Sequence, residues 1–486
     1  MGIVAKQSVQ NIFSIGAGVL LGAVNTLFLY PVFLGSQLQG LVVALLSVSN
    51  LVQPFISVGL QHALIRFFPR YKQADQQHIL LSWSLVIPLI FVGLLALFYW
   101  GVGDALLIRL FGLNPDIQTY GYMIFAIAIA TGLFEVFYSW LRIRLQSVLG
   151  NFLKEFYPRL LLCICLIVYG FEGIDFPTFL HIVLGGYYLR LLIIASYAFW
   201  IHRPKFELKS IPKAGEIIKY SSIILLAGTA SSLLLDIDKS MLPALLSVEN
   251  VAYYSVALFM ASVVELPGRA MFQIISPLVA QSIHDNNREE LQRFLSQSSQ
   301  ILLWGSGFIF LIIALNAPDF YDWIGQPDYK LAVGVVYWVG AAKLSSMALG
   351  CLNQIISNSD WYRYSLYFSV GSAVLAIVLN YYAIQIWGLM GAAYATFSVI
   401  VLINLLKINL ISRKLQLSPL SLYSLKICLL VGSIGVVFFQ VQWSFGSFWN
   451  IAFRSLAIAL VYGLLSYILQ LHKIVLPIIQ SLVRRG

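Results

Sequence analysis

Apolar stretches of about twenty residues recur along this chain, separated by short polar connections. A stretch of that length suits a helix crossing a hydrocarbon layer ~30 Å thick. The pattern predicts fourteen spans, near 11–33, 40–62, 79–101, 118–140, 153–171, 178–200, 219–244, 250–275, 297–317, 332–356, 365–386, 389–411, 423–442 and 450–471. The fifth begins inside the polar stretch Asn151–Arg159, and the seventh holds three charges. Ten-residue segments of alternating polarity, the mark of a membrane barrel, do not occur. Helices also satisfy their own backbone groups, which lipid cannot. The expected fold is all-α and polytopic.

Composition agrees with that reading. Of 486 residues, 60% are hydrophobic and 10% charged, against about a quarter charged in a soluble domain. The net charge of +10 would suggest nucleic acid in a soluble protein, but its distribution accounts for it here. With the N-terminus placed inside, Lys6, Arg66, Arg70, Lys72, Arg142, Arg144, Lys154, Arg203, Lys205, Lys209, Lys213, Arg413, Lys414, Lys473, Arg484 and Arg485 all fall at inner positions, whereas the outer loops hold only Arg109 and Lys330. Trp100, Trp387, Trp443 and Trp449 mark the outer interface, and Trp83, Trp140, Trp200 and Trp361 the inner one. Both termini are therefore expected in the cytoplasm, and no nucleic-acid partner is expected. Cys163, Cys165, Cys351 and Cys428 lie in apolar stretches and imply no disulfide framework. No cleavable leader is expected, because the first apolar segment is long and lacks a clear small-residue cleavage site.

The segment 201–218 divides the chain into an N-terminal lobe (1–200) and a C-terminal lobe (219–412), followed by two extra spans and a basic tail (413–486). A repeat supports this division: Leu29–Pro54 and Met241–Pro267 each open near a proline, pass a short polar turn, and run an apolar helix to a second proline. Six spans per half would make the repeats parallel, and such repeats commonly enclose a path opened alternately to either side.

Three features make the chain resemble the polysaccharide flippases of the multidrug/oligosaccharidyl-lipid/polysaccharide exporter superfamily: spans split six, six and two, a polar turn after the first span (Gly35–Asn50, with Gln37–Gly40), and a charged seventh span (Leu234–Lys239). The resemblance implies a two-lobed bundle in the bacterial cytoplasmic membrane. It implies translocation of lipid-linked oligosaccharides for O-antigen, capsule or exopolysaccharide assembly. Membrane lipids, a polysaccharide polymerase and chain-length machinery would be the partners.

Charges within spans are costly, about 2.5–3.5 kcal/mol each on insertion scales, and so are candidates for function. They are Glu135, Arg190, Asp236, Asp238, Lys239, Glu265, Arg269, Lys343 and Arg454. Asp236 and Lys239 are three apart and can pair on one helix; Asp238 points elsewhere. This cluster reads either as substrate path or gate, or as a structural clasp. Glu265 and Arg269 stand four apart in the favourable order for a helical pair, with Pro267 and Gly268 between them, so the segment reads as a hinge or as a fixed bend. Arg190 and Lys343 have no acid three or four positions away. At least one is expected to meet a lipid diphosphate in a central cavity. Arg454 is expected to snorkel, and Asn25 to touch either sugar or a neighbouring helix. The basic residues around Arg66, Arg70 and Lys72 follow from topology, with attraction of anionic lipid as an additional role.

No Gly-rich phosphate loop occurs, and the histidines never cluster at metal spacing. No cofactor, metal or catalytic residue is expected. Two alternatives to the flippase stay open, a multidrug cation extruder of the same superfamily and a membrane-embedded glycan transferase or polymerase. The intramembrane balance is slightly basic, which argues against cationic substrates. The longest outer loop, near 102–117, is short for a polymerase. A lipid II flippase ranks lower, since spans one and two offer Asn25, Asn50 and Gln53 where basic cavity residues would be expected.

Overall fold

A computed structural model describes residues 2–71, 73–144, 146–203, 205–210, 214–361, 363–441 and 444–471. Lys72, Lys213, Trp443, Lys473, Arg484 and Arg485 lie outside the described residues. The chain is all-helical, 88% helix without strands among the described residues. It divides into two compact units, Met1–Ala252 and Tyr253–Gly486.

The first unit carries α1 (Gly2–Val24), α2 (Gly35–Ser57), α3 (Leu60–Phe67), α4 (Ala74–Phe98), α5 (Asp104–Phe111), α6 (Pro115–Thr119), α7 (Tyr122–Ile143), α8 (Val148–Asn151), α9 (Tyr157–Gly170), α10 (Phe176–Ile201) and α11 (Ala214–Leu245). The boundary falls within α12 (Glu249–Ser262). The second unit continues with α13 (Leu266–His284), α14 (Arg288–Trp323), α15 (Val333–Met347), α16 (Leu352–Asn358), α17 (Arg363–Trp387), α18 (Leu389–Leu415), α19 (Leu422–Gln440) and α20 (Ser447–Ile468).

Among the described residues, ten helices are long and apolar enough to cross a membrane, or up to twelve if each of two bent pairs forms one span. Fourteen were expected, and the difference has physical reasons. The first two expected spans lie in one helical run, Phe13–Ser57, of 45 residues. At 1.5 Å per residue such a run is roughly twice the hydrocarbon thickness. It is interrupted where Gly35 takes φ 66° and ψ −178°, a conformation few side chains tolerate. The fifth falls short: α9 has 14 residues, and the π-helical turn before it carries Lys154 and Glu155. The seventh (Ala214–Ala230 with Ser232–Leu245) and the tenth (Pro327–Met347 with Leu352–Asn358) are the bent pairs. The last four match closely, as α17 to α20.

In the first unit α7 runs through the core, where Phe134 and Leu141 pack with Leu64, Leu81 and Ile194. In the second, α14 packs against α19 and α20 through Leu303, Leu311, Ile427, Ile458 and Tyr462. Leu97, Leu192, Leu429 and Leu460 remain exposed, which suits a surface solvated by lipid.

Helix α11, which follows the segment 201–218, packs with the first unit. Gly40 lets this happen, since a Cβ there would stand 2.1 Å from the Val248 carbonyl oxygen. Buried Asn114 closes the end of α11: its amide donates to the carbonyls of Pro243 (2.6 Å) and Leu246 (2.9 Å), and its oxygen accepts from the Val248 N–H (2.8 Å). Asn114→Ala strands these groups and should lower stability by about 2 kcal/mol. Thermal unfolding of purified protein in detergent reads this, and an unchanged midpoint would mean that water replaces the amide.

Candidate functional site

Arg190 lies mid-way along α10 and is only 4% exposed. Its guanidinium Nη2 donates to Thr131 Oγ1 at 3.2 Å. The group rests over the rings of Phe134 and Tyr187, 4.4 and 4.8 Å from their centroids. Its Nε has no hydrogen-bond partner among the described residues, nor does the guanidinium pair with any of their carboxylates. Glu135, the acid that could have answered it, pairs with Lys154 at 2.7 Å. The buried cation is thus held by a hydroxyl and two π-faces.

One helical turn along α7 from Thr131 and Phe134, a polar cavity of about 220 Å³ opens among α2, α3, α7 and α11. Glu135, Arg142, Lys154, His62, Gln53 and Gln61 contribute its polar lining. The buried Gln61 Oε1 makes no hydrogen bond among the described residues. Arg190 is not part of this lining. Two cations against one carboxylate make the cavity net basic, with the acid partly neutralised by its ion pair. Beyond the last turn of α10, the His202 ring stacks on His78 at 5.4 Å, with Arg144 Nη2 at 3.2 Å. Burial first, then Arg144 and His78, lower the pKa of His202 below the ordinary histidine value.

In α11, Lys239 pairs with Asp236 as their three-residue spacing predicts, and Asn50 of α2 donates to Asp236 at 3.2 Å. Asp238 is buried. The cluster is thereby tied into the α2–α11 contact. Asn25, 2% exposed, donates to the Arg159 carbonyl at 2.8 Å, so it joins two helical segments rather than facing open space.

The second unit corrects two expectations, the Glu265–Arg269 pair and the snorkelling of Arg454, and gives Lys343 a counterion. Lys343 is not left without a counterion: its Nζ lies 3.2 Å from Glu265. Glu265 therefore reaches across to α15 instead of pairing along its own helix with Arg269, which is exposed. The reason is local. Val263–Glu265 form a 3₁₀ turn, and Pro267 opens the new helix α13, so the four-residue spacing does not run along one continuous α-helical face. Arg454 does not snorkel. It is 8% exposed, and its Nη1 donates to Asp319 Oδ2 at 2.5 Å and to the Leu315 carbonyl at 2.8 Å. Asn450 binds the other oxygen of Asp319 at 3.0 Å.

Sequence reasoning did not find Asn114, nor the grouping of His62, Gln61, Arg142 and Lys154 around one cavity. The only signal for Asn114 was a polar residue directly before Pro115. Among the described residues no group of three His, Cys, Asp or Glu could hold a metal ion.

Residues 224–382 match the MatE family model. No curated protein matches the chain by sequence. Among solved structures, the lipid II flippase MurJ in an inward closed conformation aligns with TM-score 0.73 at 16% identity, over 96% of this chain and 98% of that one. An inward-facing multidrug resistance MATE family transporter of the MOP superfamily aligns with TM-score 0.60 at 13% identity, over 84% and 94%. The Vibrio cholerae MATE transporter VcmN aligns with TM-score 0.56 at 14% identity, over 87% and 100%. At these identities the likeness is one of fold. The MatE match covers about a third of the chain, and the solved structures show that the whole chain has a fold similar to those of MurJ and the MATE transporters.

Proposed function

We propose that the protein flips a polyprenyl-diphosphate-linked oligosaccharide across the bacterial cytoplasmic membrane by alternating access, in O-antigen, capsule or exopolysaccharide assembly. The observation that carries this reading is Arg190. A guanidinium buried at mid-span without a carboxylate is expensive in lipid and is suited to bind phosphate through its planar fork. The basic cavity next to α7 supports the same reading, since Arg142 and Lys154 give an anionic head group a first foothold. In the proposed cycle the diphosphate passes from these residues toward Arg190 while the polyprenyl tail stays in lipid. No covalent chemistry is required of the chain. The fold shared with a lipid II flippase supports a lipid-linked saccharide as substrate class.

A second reading, export of organic cations, is favoured by the MatE match and by the buried acids Asp236 and Asp238. Purified protein in liposomes separates the two. Loaded with a fluorescent polyprenyl-diphosphate oligosaccharide, proteoliposomes should expose the inner pool to an added glycosidase faster than empty liposomes do. Uptake of a cationic dye under an ion gradient, without such exposure, would overturn the flippase reading.

A further inference from the structure

A second cavity of the first unit is of opposite character. About 510 Å³ of space lies among α3, α4 and α11, walled by Leu60, Leu64, Leu80, Trp83 and Ile217. The Ser221 hydroxyl also lines it; this residue is 5% exposed, and its oxygen has no hydrogen-bond partner among the described residues. Its walls offer no row of backbone donors and acceptors that a peptide strand would need, because they are helical. An unfilled apolar space of this size forfeits dispersion contacts on every wall. A bilayer supplies acyl chains to fill it.

Cations gather at the same end of the unit. Arg66, two residues beyond Leu64, lies over the Tyr220 ring at 4.3 Å, next to Ser221. Arg70 lies over Phe67 at 5.0 Å and Arg144 over Phe68 at 5.2 Å. Trp83 donates to the Lys209 carbonyl at 3.0 Å, drawing the linker to the cavity wall. The acids nearby are Glu207, which pairs with Lys209 at 3.0 Å, and Glu216, which acts on Tyr71 beside Arg70. With Asp75 in the first turn of α4 counted as well, four cations against three acids among the described residues leave a basic rim. An apolar slot, a buried hydroxyl with its donor unspent and a basic rim with interfacial aromatics match, in order, the acyl chain, ester carbonyl and phosphate of one molecule.

We propose that the first unit holds a binding site for an anionic diacyl phospholipid of the surrounding leaflet, with a chain in the slot and its phosphate at Arg66 and Arg70. This site is separate from the basic cavity assigned to the transported substrate and does not depend on that assignment.

Native mass spectrometry of the purified full chain tests it, by titration with phosphatidylglycerol and phosphatidylcholine of the same chains. Each basic residue near a headgroup is worth about fivefold in affinity. Wild type should therefore prefer phosphatidylglycerol by roughly twentyfold, and R66Q/R70Q should bind the two lipids equally at an unchanged unfolding midpoint. Dihexanoyl phosphatidylglycerol should bind at least tenfold more weakly than the long-chain form, which tests the slot without a substitution. Equal binding of the two headgroups by wild type, retained selectivity in R66Q/R70Q, or indifference to chain length each overturns the proposal. Displacement of phosphatidylglycerol by equimolar polyprenyl phosphate also overturns it, by giving the slot to the transported lipid.

Discussion

Asp319→Ala should lower the stability of the protein by about 3–5 kcal/mol, the usual cost of removing one partner of a buried ion pair. Arg454 is 8% exposed, and its two strong acceptors are Asp319 and the Leu315 carbonyl. Without the carboxylate, a guanidinium remains between α14 and α20 with the Leu315 carbonyl to answer it, and Asn450 loses one acceptor. The double variant Asp319→Ala/Arg454→Leu should recover most of the loss, because it removes the charge as well as its partner. Equilibrium unfolding in mixed micelles measures both. A loss under about 1 kcal/mol for the single variant would mean that Arg454 swings to the interface, as its position near a span end first suggested.

Arg190→Ala should reduce flipping of a polyprenyl-diphosphate sugar by about ten- to a hundredfold, the worth of one charge-assisted hydrogen bond to phosphate. Arg190→Lys should recover little, since an ammonium lacks the planar fork that grips two phosphate oxygens. The competing role is structural: Phe134 and Tyr187 sandwich the guanidinium and could simply hold α10 against α7. The two separate by what falls. A structural loss lowers protein abundance and transport together, whereas a binding loss lowers transport per molecule at equal abundance. Reconstituted flipping normalised to inserted protein, together with the unfolding midpoint of each variant, gives both quantities. Full flipping by Arg190→Ala would remove the main support for an anionic substrate.

The fate of the intramembrane charges shows where local reasoning holds. Asp236 and Lys239 are joined by one turn of one helix, so their pairing follows from spacing alone. Lys343 and Glu265 stand 78 residues apart, and Arg454 and Asp319 135 apart. Both looked solitary in the chain, and both are paired in space. Arg190 looked equally solitary and pairs with no carboxylate among the described residues, since Lys154 holds Glu135.

What the chain determines by itself is whatever depends on period and length. Twenty-residue apolar runs dictate helices, and the scarcity of charge dictates that lipid must be their solvent. Residues three apart on one helix find each other without help from the fold. Tertiary structure alone decided the rest: that α11 joins the first unit, that Asn114 closes its end, that a 3₁₀ turn aims Glu265 at α15, and that Arg142, Lys154 and His62 surround one cavity. These depend on the rotation of each helix about its axis and on which neighbour its polar face meets. A greasy helix carries almost no amphipathic signal to reveal that rotation, because lipid and protein interior ask for the same side chains.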